Sequence, residues 1–233
     1  MDRVTATEIK PGIFRLSGYF EVWGITINQF LIIDEKPMMI ETGLPQHFSM
    51  VRKTLEEIID PSKIAYFGVP HFEPDECGSI KELVELAPNA EVVSSHGGAY
   101  ASLSYVVDKP TRGLNDGEVL DLGQKRIKHF FVPHVHSWDS SVFVEETERV
   151  AFTADLFMQK GDIEPVTDEN RAAHVVETWQ GYFGIPPRHH LLSALDKLED
   201  CNLSMLAPIH GSALIGDIKP YFDVMREYAN TGP

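Results

Sequence analysis

The chain has 233 residues, 43% hydrophobic and 24% charged, a balance that excludes a disordered protein. That length can bury one sizeable core, and residues 1–233 read as a single domain. A formal net charge of −15 argues against nucleic acid and anionic membrane as partners, because both would be repelled.

The opening "MDRVTATEIKPG" is polar and lacks the basic-then-apolar build of a signal peptide. No stretch reaches the roughly 18 apolar residues of a membrane span. Cys77 and Cys201 form neither a CxxC motif nor a disulfide framework, so a reducing cytoplasm is the expected location. The first forty residues read as strands, "IFRLSGYFEVWGITINQFLIID" and then "MMIETG" after the turn "EKP". Apolar spacing predicts a helix in "QHFSMVRKTLEEIID", ending before Pro61. Strand "IAYFGVP", a polar loop and helix "CGSIKELVELA" follow, the helix closed by Pro88. After strand "AEVVSS" a further helix is expected beyond "HGG". The middle is hairpin-rich: "GEVLDLGQKRIKHFFVP", then "SSVFVEE" and "RVAFTAD" around a polar turn. The last third is mostly helical, in "AAHVVETWQGYF", "PPRHHLLSALDKLED" and "IKPYFDVMREYAN", interrupted by one strand, "LSMLAPIHG". This order suits an α/β fold of two sheets packed face to face with helices outside.

Candidate metal ligands cluster at strand ends, where rigid scaffolds present functional side chains. The loop "VPHFEPDECGS" places His71, Glu73 and Asp75 at alternate positions, with Glu76 and Cys77 directly after. "FFVPHVHSWDSS" offers His134 and His136, "VAFTADLF" offers Asp155, and "SMLAPIHGS" offers His210. Imidazole and carboxylate together suit iron, zinc and manganese, and a larger carboxylate share favours the harder, oxidisable metals.

These segments, in this order, resemble the metallo-β-lactamase superfamily. Within it they are similar to the diiron branch, typified by the core domain of flavodiiron proteins and by standalone oxygen-binding diiron proteins. The resemblance runs from "PGIFRLSG" to "APIHG", nearly the whole chain. The diiron branch has His-x-Glu-x-Asp-His where zinc hydrolases have His-x-His-x-Asp-His. "HFEPDE" matches the diiron form at His71, Glu73 and Asp75 and departs from it at Glu76.

The resemblance implies an αββα sandwich of two mixed sheets and a site for two iron ions. One iron would be held by His71, Glu73, His136 and Asp155. The other would be held by Asp75, Asp155 and His210, with Glu76 a further candidate. It implies dioxygen or nitric oxide as the ligand, and a homodimer. The chain runs on only briefly after His210, so no flavin domain is expected within it. That favours an oxygen sensor or carrier with a signalling partner. The alternatives are a dioxygen or nitric oxide reductase fed by an external electron-transfer protein, and a zinc hydrolase.

Each flanking residue also has a plainer reading. Glu76 suits the N-terminal end of a helix on dipole grounds alone. Cys77 has the position of a small buried residue as much as of a redox thiol. His134, two positions before His136, would point the same way on an extended chain and could support it. Glu41, in "IETG", is a candidate hydrogen-bonding support or a turn residue. Phe72 and Trp138 offer an apolar wall or ordinary packing.

Overall fold

The computed structural model describes residues 3–183 and 187–231. Pro186, at the start of the expected helix "PPRHHLLSALDKLED", lies outside the described residues. Seven strands pair in chain order in the first sheet. They are β1 (Thr5–Lys10), β2 (Ile13–Phe20), β3 (Ile25–Ile32), β4 (Met38–Ile40), β5 (Tyr66–Gly68), β6 (Glu91–Ser95) and β7 (Thr111–Leu114). The second sheet comprises β8 (Val119–Asp121), β9 (Arg126–Phe131), β10 (Ser141–Glu145), β11 (Val150–Phe152), β12 (Val166–Thr167), β13 (Met205–Ala207) and β14 (Ala213–Ile215). Its order is β12-β14-β13-β11-β10-β9-β8.

Short turns join β1 to β4, so these strands pair antiparallel. The links from β4 to β7 are longer, and those strands run parallel. Helices α1 (Phe48–Glu56), α2 (Pro74–Cys77) and α3 (Ile80–Leu86) fall within these links. The other helices are α4 (Ala172–Tyr182), α5 (Arg188–Glu199) and α6 (Lys219–Thr231).

Three apolar clusters define the layers. Ile13, Phe30, Ile40, Phe143, Phe152 and Ala207 come from both sheets and fill the space between them. Phe30 meets Phe152 there with ring centroids 5.0 Å apart, a pair worth about 0.5–1.5 kcal/mol beyond its buried area. Val51, Leu55, Ile80 and Leu83 pack α1 and α3 onto the outer face of the first sheet. On the second sheet, α5 presents Leu191, Ala194, Leu195 and Leu198 at i, i+3, i+4 and i+7 to a core shared with Trp179, Tyr221 and Phe222. The strand β2 shows the logic: Ile13 faces the inter-sheet core, while Phe14 and Leu16 face the helices. Burial on both faces makes such strands read as nearly continuous apolar runs.

The two mixed sheets with helices outside match the expectation. The segment after "HGG" does not become an α-helix. Gly98–Ser102 forms one wide π turn and Leu103–Tyr105 a 3₁₀ turn. Ser95 Oγ accepts from the Gly98 amide at 3.1 Å, and Thr111 Oγ1 donates to the Ala99 carbonyl at 2.8 Å. Such side-chain bonds compete with an i→i+4 ladder. Among the described residues no helix is long and apolar enough to cross a membrane.

Candidate metal centre

The ends of β5, β11 and β13 and the β9–β10 loop deliver the candidate side chains to one place. After β5, Pro70 and Pro74 bracket the segment "HFE" and prevent it from continuing the ladder. Glu73 is extended, at φ −133° and ψ 158°, and Pro74 opens α2 directly after it. The turn carries Asp75 and Glu76, both buried.

Asp155 is the centre of the arrangement. Its Oδ2 lies 3.3 Å from His71 Nε2 and 3.0 Å from His136 Nε2. Its Oδ1 lies 3.5 Å from His210 Nε2, which is also 3.2 Å from Asp75 Oδ2. The two oxygens of one carboxylate thus face two separate donor sets. Glu73 closes the first set, with its oxygens 3.8 Å from His71 Nε2 and 3.7 Å from His136 Nε2. Its side chain is 42% exposed and forms the rim.

The backbone is unusual where these groups meet. Glu41, His134 and Ala154 are non-glycine residues with φ of 63°, 63° and 50°. Such left-handed conformations are costly and gather at functional sites. Gly211, at φ 98°, follows His210, and a Cβ there would stand 2.8 Å from the Gln159 side chain.

The first sheet holds the His210 loop from behind. His210 Nδ1 is 2.7 Å from the Thr26 carbonyl, and the Gly211 amide donates to Thr26 Oγ1 at 2.7 Å. Asn28 Nδ2 donates to the carbonyls of Pro208 and Gly211, and Arg15 Nη2 donates to Gly211 at 3.0 Å. His136 is supported differently, its ring stacked on Phe183 at 3.8 Å and 11°. Asp139 orders the β9–β10 loop, accepting from Ser137 Oγ at 2.6 Å and from the Phe72 amide at 3.1 Å. Thr26, Asn28, Asp139 and Phe183 escaped the sequence reading. The available signal was the polar Thr26, Asn28 and Gln29 in a strand whose other residues are all apolar.

Glu76 lies behind His71. One oxygen is 2.9 Å from His71 Nδ1 and 3.0 Å from the His71 amide. The amide bond is well aligned; the approach to Nδ1 is close but off the ideal hydrogen-bond angle. Glu41 is fully buried with neither carboxylate oxygen hydrogen-bonded. The Cys77 thiol donates to the Glu73 carbonyl at 3.1 Å and is 5% exposed. His134 packs its ring on His190 at 4.6 Å. Phe72 and Trp138 are 40% and 50% exposed. His129 is a structural residue, buried between the Asn115 carbonyl and Ser141 Oγ.

The electrostatics follow from this crowding. Burial opposes ionisation of Asp155, yet His136, His71 and His210 hold its pKa down to about 2. Burial likewise opposes protonation of His71, but Glu76, Glu73 and Asp155 outweigh it and push its pKa well up. His210 moves the same way because Asp75 and Asp155 overcome its desolvation. Burial raises Glu76 to about 7 against the pull of His71, and burial with the neighbouring Glu76 and Asp155 raises Glu41 well above the usual carboxylate range.

The residues fit a metal. Donor atoms of His71, His136 and Asp155 lie within 4.8 Å of one another. The Nε2 atoms of both histidines are buried and lack a hydrogen-bond partner of good geometry, although both converge on Asp155. A cation between them would satisfy both nitrogens and the carboxylate at once.

A family model described as ODP family beta lactamase matches residues 25–211. The flavo-diiron protein FprA2 of Clostridium acetobutylicum is 28% identical over 202 residues, covering 82% of this chain and 50% of its own length. The rubredoxin-oxygen oxidoreductase of Megalodesulfovibrio gigas is 26% identical over 220 residues, covering 90% of this chain and 55% of its own. The chain therefore spans about half the length of these curated relatives. Among solved structures, rubredoxin oxygen:oxidoreductase from Desulfovibrio gigas superposes with a TM-score of 0.87 at 24% identity, over 98% of this chain and 62% of that one. The metal-soaked Flv1 flavodiiron core from Synechocystis sp. gives 0.88 at 19% identity, over 98% and 61%. Both superpositions show a common fold.

Proposed function

Because the chain belongs to the ODP beta-lactamase family of the metallo-β-lactamase superfamily, we propose that its His/carboxylate cluster is a diiron centre that reduces dioxygen or nitric oxide. The observation that carries this is Asp155, whose two oxygens face two donor sets. His71, Glu73, His136 and Asp155 would hold one iron; Asp75, Asp155 and His210 would hold the other. Two Fe(II) ions, when bound, would each give one electron to the gas, an external electron-transfer protein would restore them for turnover, and the protein sets geometry and access.

The chain's own contribution is positional. Thr26 fixes the His210 ring through Nδ1 and so turns Nε2 toward Asp75 and Asp155. Phe183 covers one face of His136. Three carboxylates, Glu73, Asp75 and Asp155, offset most of the charge of two divalent ions, which suits iron better than the imidazole-rich set of a zinc hydrolase. The name of the Megalodesulfovibrio gigas relative, an oxygen oxidoreductase, supports reduction over sensing.

Anaerobic loading with Fe(II), followed by dioxygen or nitric oxide under excess reductant, tests the reading. Two irons per chain and repeated consumption of either gas are expected. A single stoichiometric uptake without turnover would make the protein a sensor or carrier. Failure to hold iron, together with ester or lactam hydrolysis by the zinc form, would overturn the diiron reading.

The same proposal takes residues 1–233 as one domain, supported by the inter-sheet core, and as a homodimer in a reducing cytoplasm. Light scattering tests the oligomer.

A further inference from the structure

We propose that Glu76 is a positioning residue for His71 and not a ligand, leaving the metal at Asp75, Asp155 and His210 one protein donor short and open to an exogenous ligand. This rests on the diiron reading and extends it to the inequality of the two metals.

Three observations carry it. First, the Glu76 carboxylate stands at Nδ1 of His71, whereas the nitrogen that faces Asp155 is Nε2. The two nitrogens of an imidazole are distinct, and a group at one lies across the ring from a metal at the other. Second, the backbone fixes that direction. Successive residues on a helical turn point about 100° apart, so with Asp75 directed at His210, Glu76 is turned away from it. Third, the position is anchored. The Thr42 amide and hydroxyl both donate to the Glu76 carbonyl, at 2.6 and 3.2 Å, and the His71 amide holds the carboxylate at 3.0 Å. The residue is 1% exposed, so the carboxylate has no solvent path around the ring.

The donor sets are then unequal. The first metal has His71, Glu73, His136 and Asp155, and a carboxylate behind His71 strengthens that imidazole as a donor. The second has Asp75, Asp155 and His210. The first position should fill first, and the second should accept an added anion or gas.

The test is metal occupancy at each position, read by anomalous diffraction from crystals of the full chain loaded with Co(II), alongside a solution titration. Wild-type protein is expected to load in two steps, the His71 position first. Glu76→Ala should weaken the His71 position about 10–100-fold and leave the Asp75/His210 position filled as in wild type. Glu76→Gln, which keeps an oxygen acceptor behind the ring and is the milder change for folding, should recover most of the loss. Azide soaked into two-metal crystals should sit on the Asp75/His210 metal.

Loss of the Asp75/His210 metal in Glu76→Ala, with the His71 metal retained, would make Glu76 a ligand and overturn the proposal. Unchanged occupancy at both positions would overturn the positioning role, and azide on the His71 metal would overturn the assignment of the open position. Wild-type protein that binds no metal at this cluster would defeat the diiron reading itself, an outcome distinct from all of these.

Discussion

The two sheets contribute to the centre in opposite ways. The first sheet supplies His71, Glu73 and Asp75 from one five-residue segment, 71–75, that spans the loop after β5 and the first turn of α2. The second supplies His136, Asp155 and His210 singly, from the β9–β10 loop and the ends of β11 and β13. A clustered segment concentrates donors at little cost in chain closure and reaches both metals, His71 and Glu73 on one side and Asp75 on the other, but it approaches the pair from a single direction. Scattered donors surround the pair, and each needs its own support: Phe183 for His136, the tight turn at Ala154 for Asp155, and Thr26 for His210. The lesson is that half of the ligands can be grouped on one segment at little cost, while each scattered ligand needs a dedicated support to hold its geometry.

Asp155→Ala should have the largest effect, because it removes the one side chain facing both donor sets; near-complete loss of both metals is expected by elemental analysis. Single-site losses should separate the two halves next. Glu73→Ala should lower iron from about two to about one per chain by losing the His71/His136 metal, and His210→Ala should lose the other. Normal two-iron content in either variant would break the assignment.

Thr26→Val tests the scaffold. It keeps the carbonyl that fixes His210 and removes the hydroxyl that accepts from the Gly211 amide. A buried amide left without a partner costs about 1–3 kcal/mol, so Tm should fall by several degrees while the metal-to-protein ratio holds.

His129 sharpens the contrast within the second sheet, as a histidine used for structure and not for metal. Burial holds its pKa below the usual value. Its contribution to stability is therefore present above the unfolded pKa, about 6.5, and lost as pH falls through the lowered folded value. His129→Gln should flatten that part of the pH–stability curve, measured by urea unfolding with the metal chelated.

Cys77 should show the smallest effect. Its burial, with Glu76 and Asp75 adjacent, pushes the thiol pKa up, so native protein should resist iodoacetamide at Cys77 and react there only when unfolded. Rapid native labelling would return a redox role to that thiol.

Much of this is readable from residues alone, for identifiable reasons. Alternating donors set around two prolines can be seen without coordinates, and so can single polar residues that end apolar strands. The strands β7, β12 and β14 were not foreseen. They are two to four residues long, too short for a period, and exist because neighbours pair with them. Phe183 is also invisible in sequence, since nothing local connects "QGYF" to a histidine 47 positions earlier. Glu76 shows the limit most clearly. Its type and position suggest a ligand, and only the rotation of a four-residue turn decides which nitrogen of His71 it meets.

The clasp on Gly211 has a consequence for how the molecule comes apart. Arg15, Thr26 and Asn28 of the first sheet hold the loop that carries His210 from the second. Separating the sheets therefore pulls one donor off the centre, and occupying the centre resists that separation. Melting and metal release should coincide in one cooperative transition, whose midpoint climbs with the concentration of free metal.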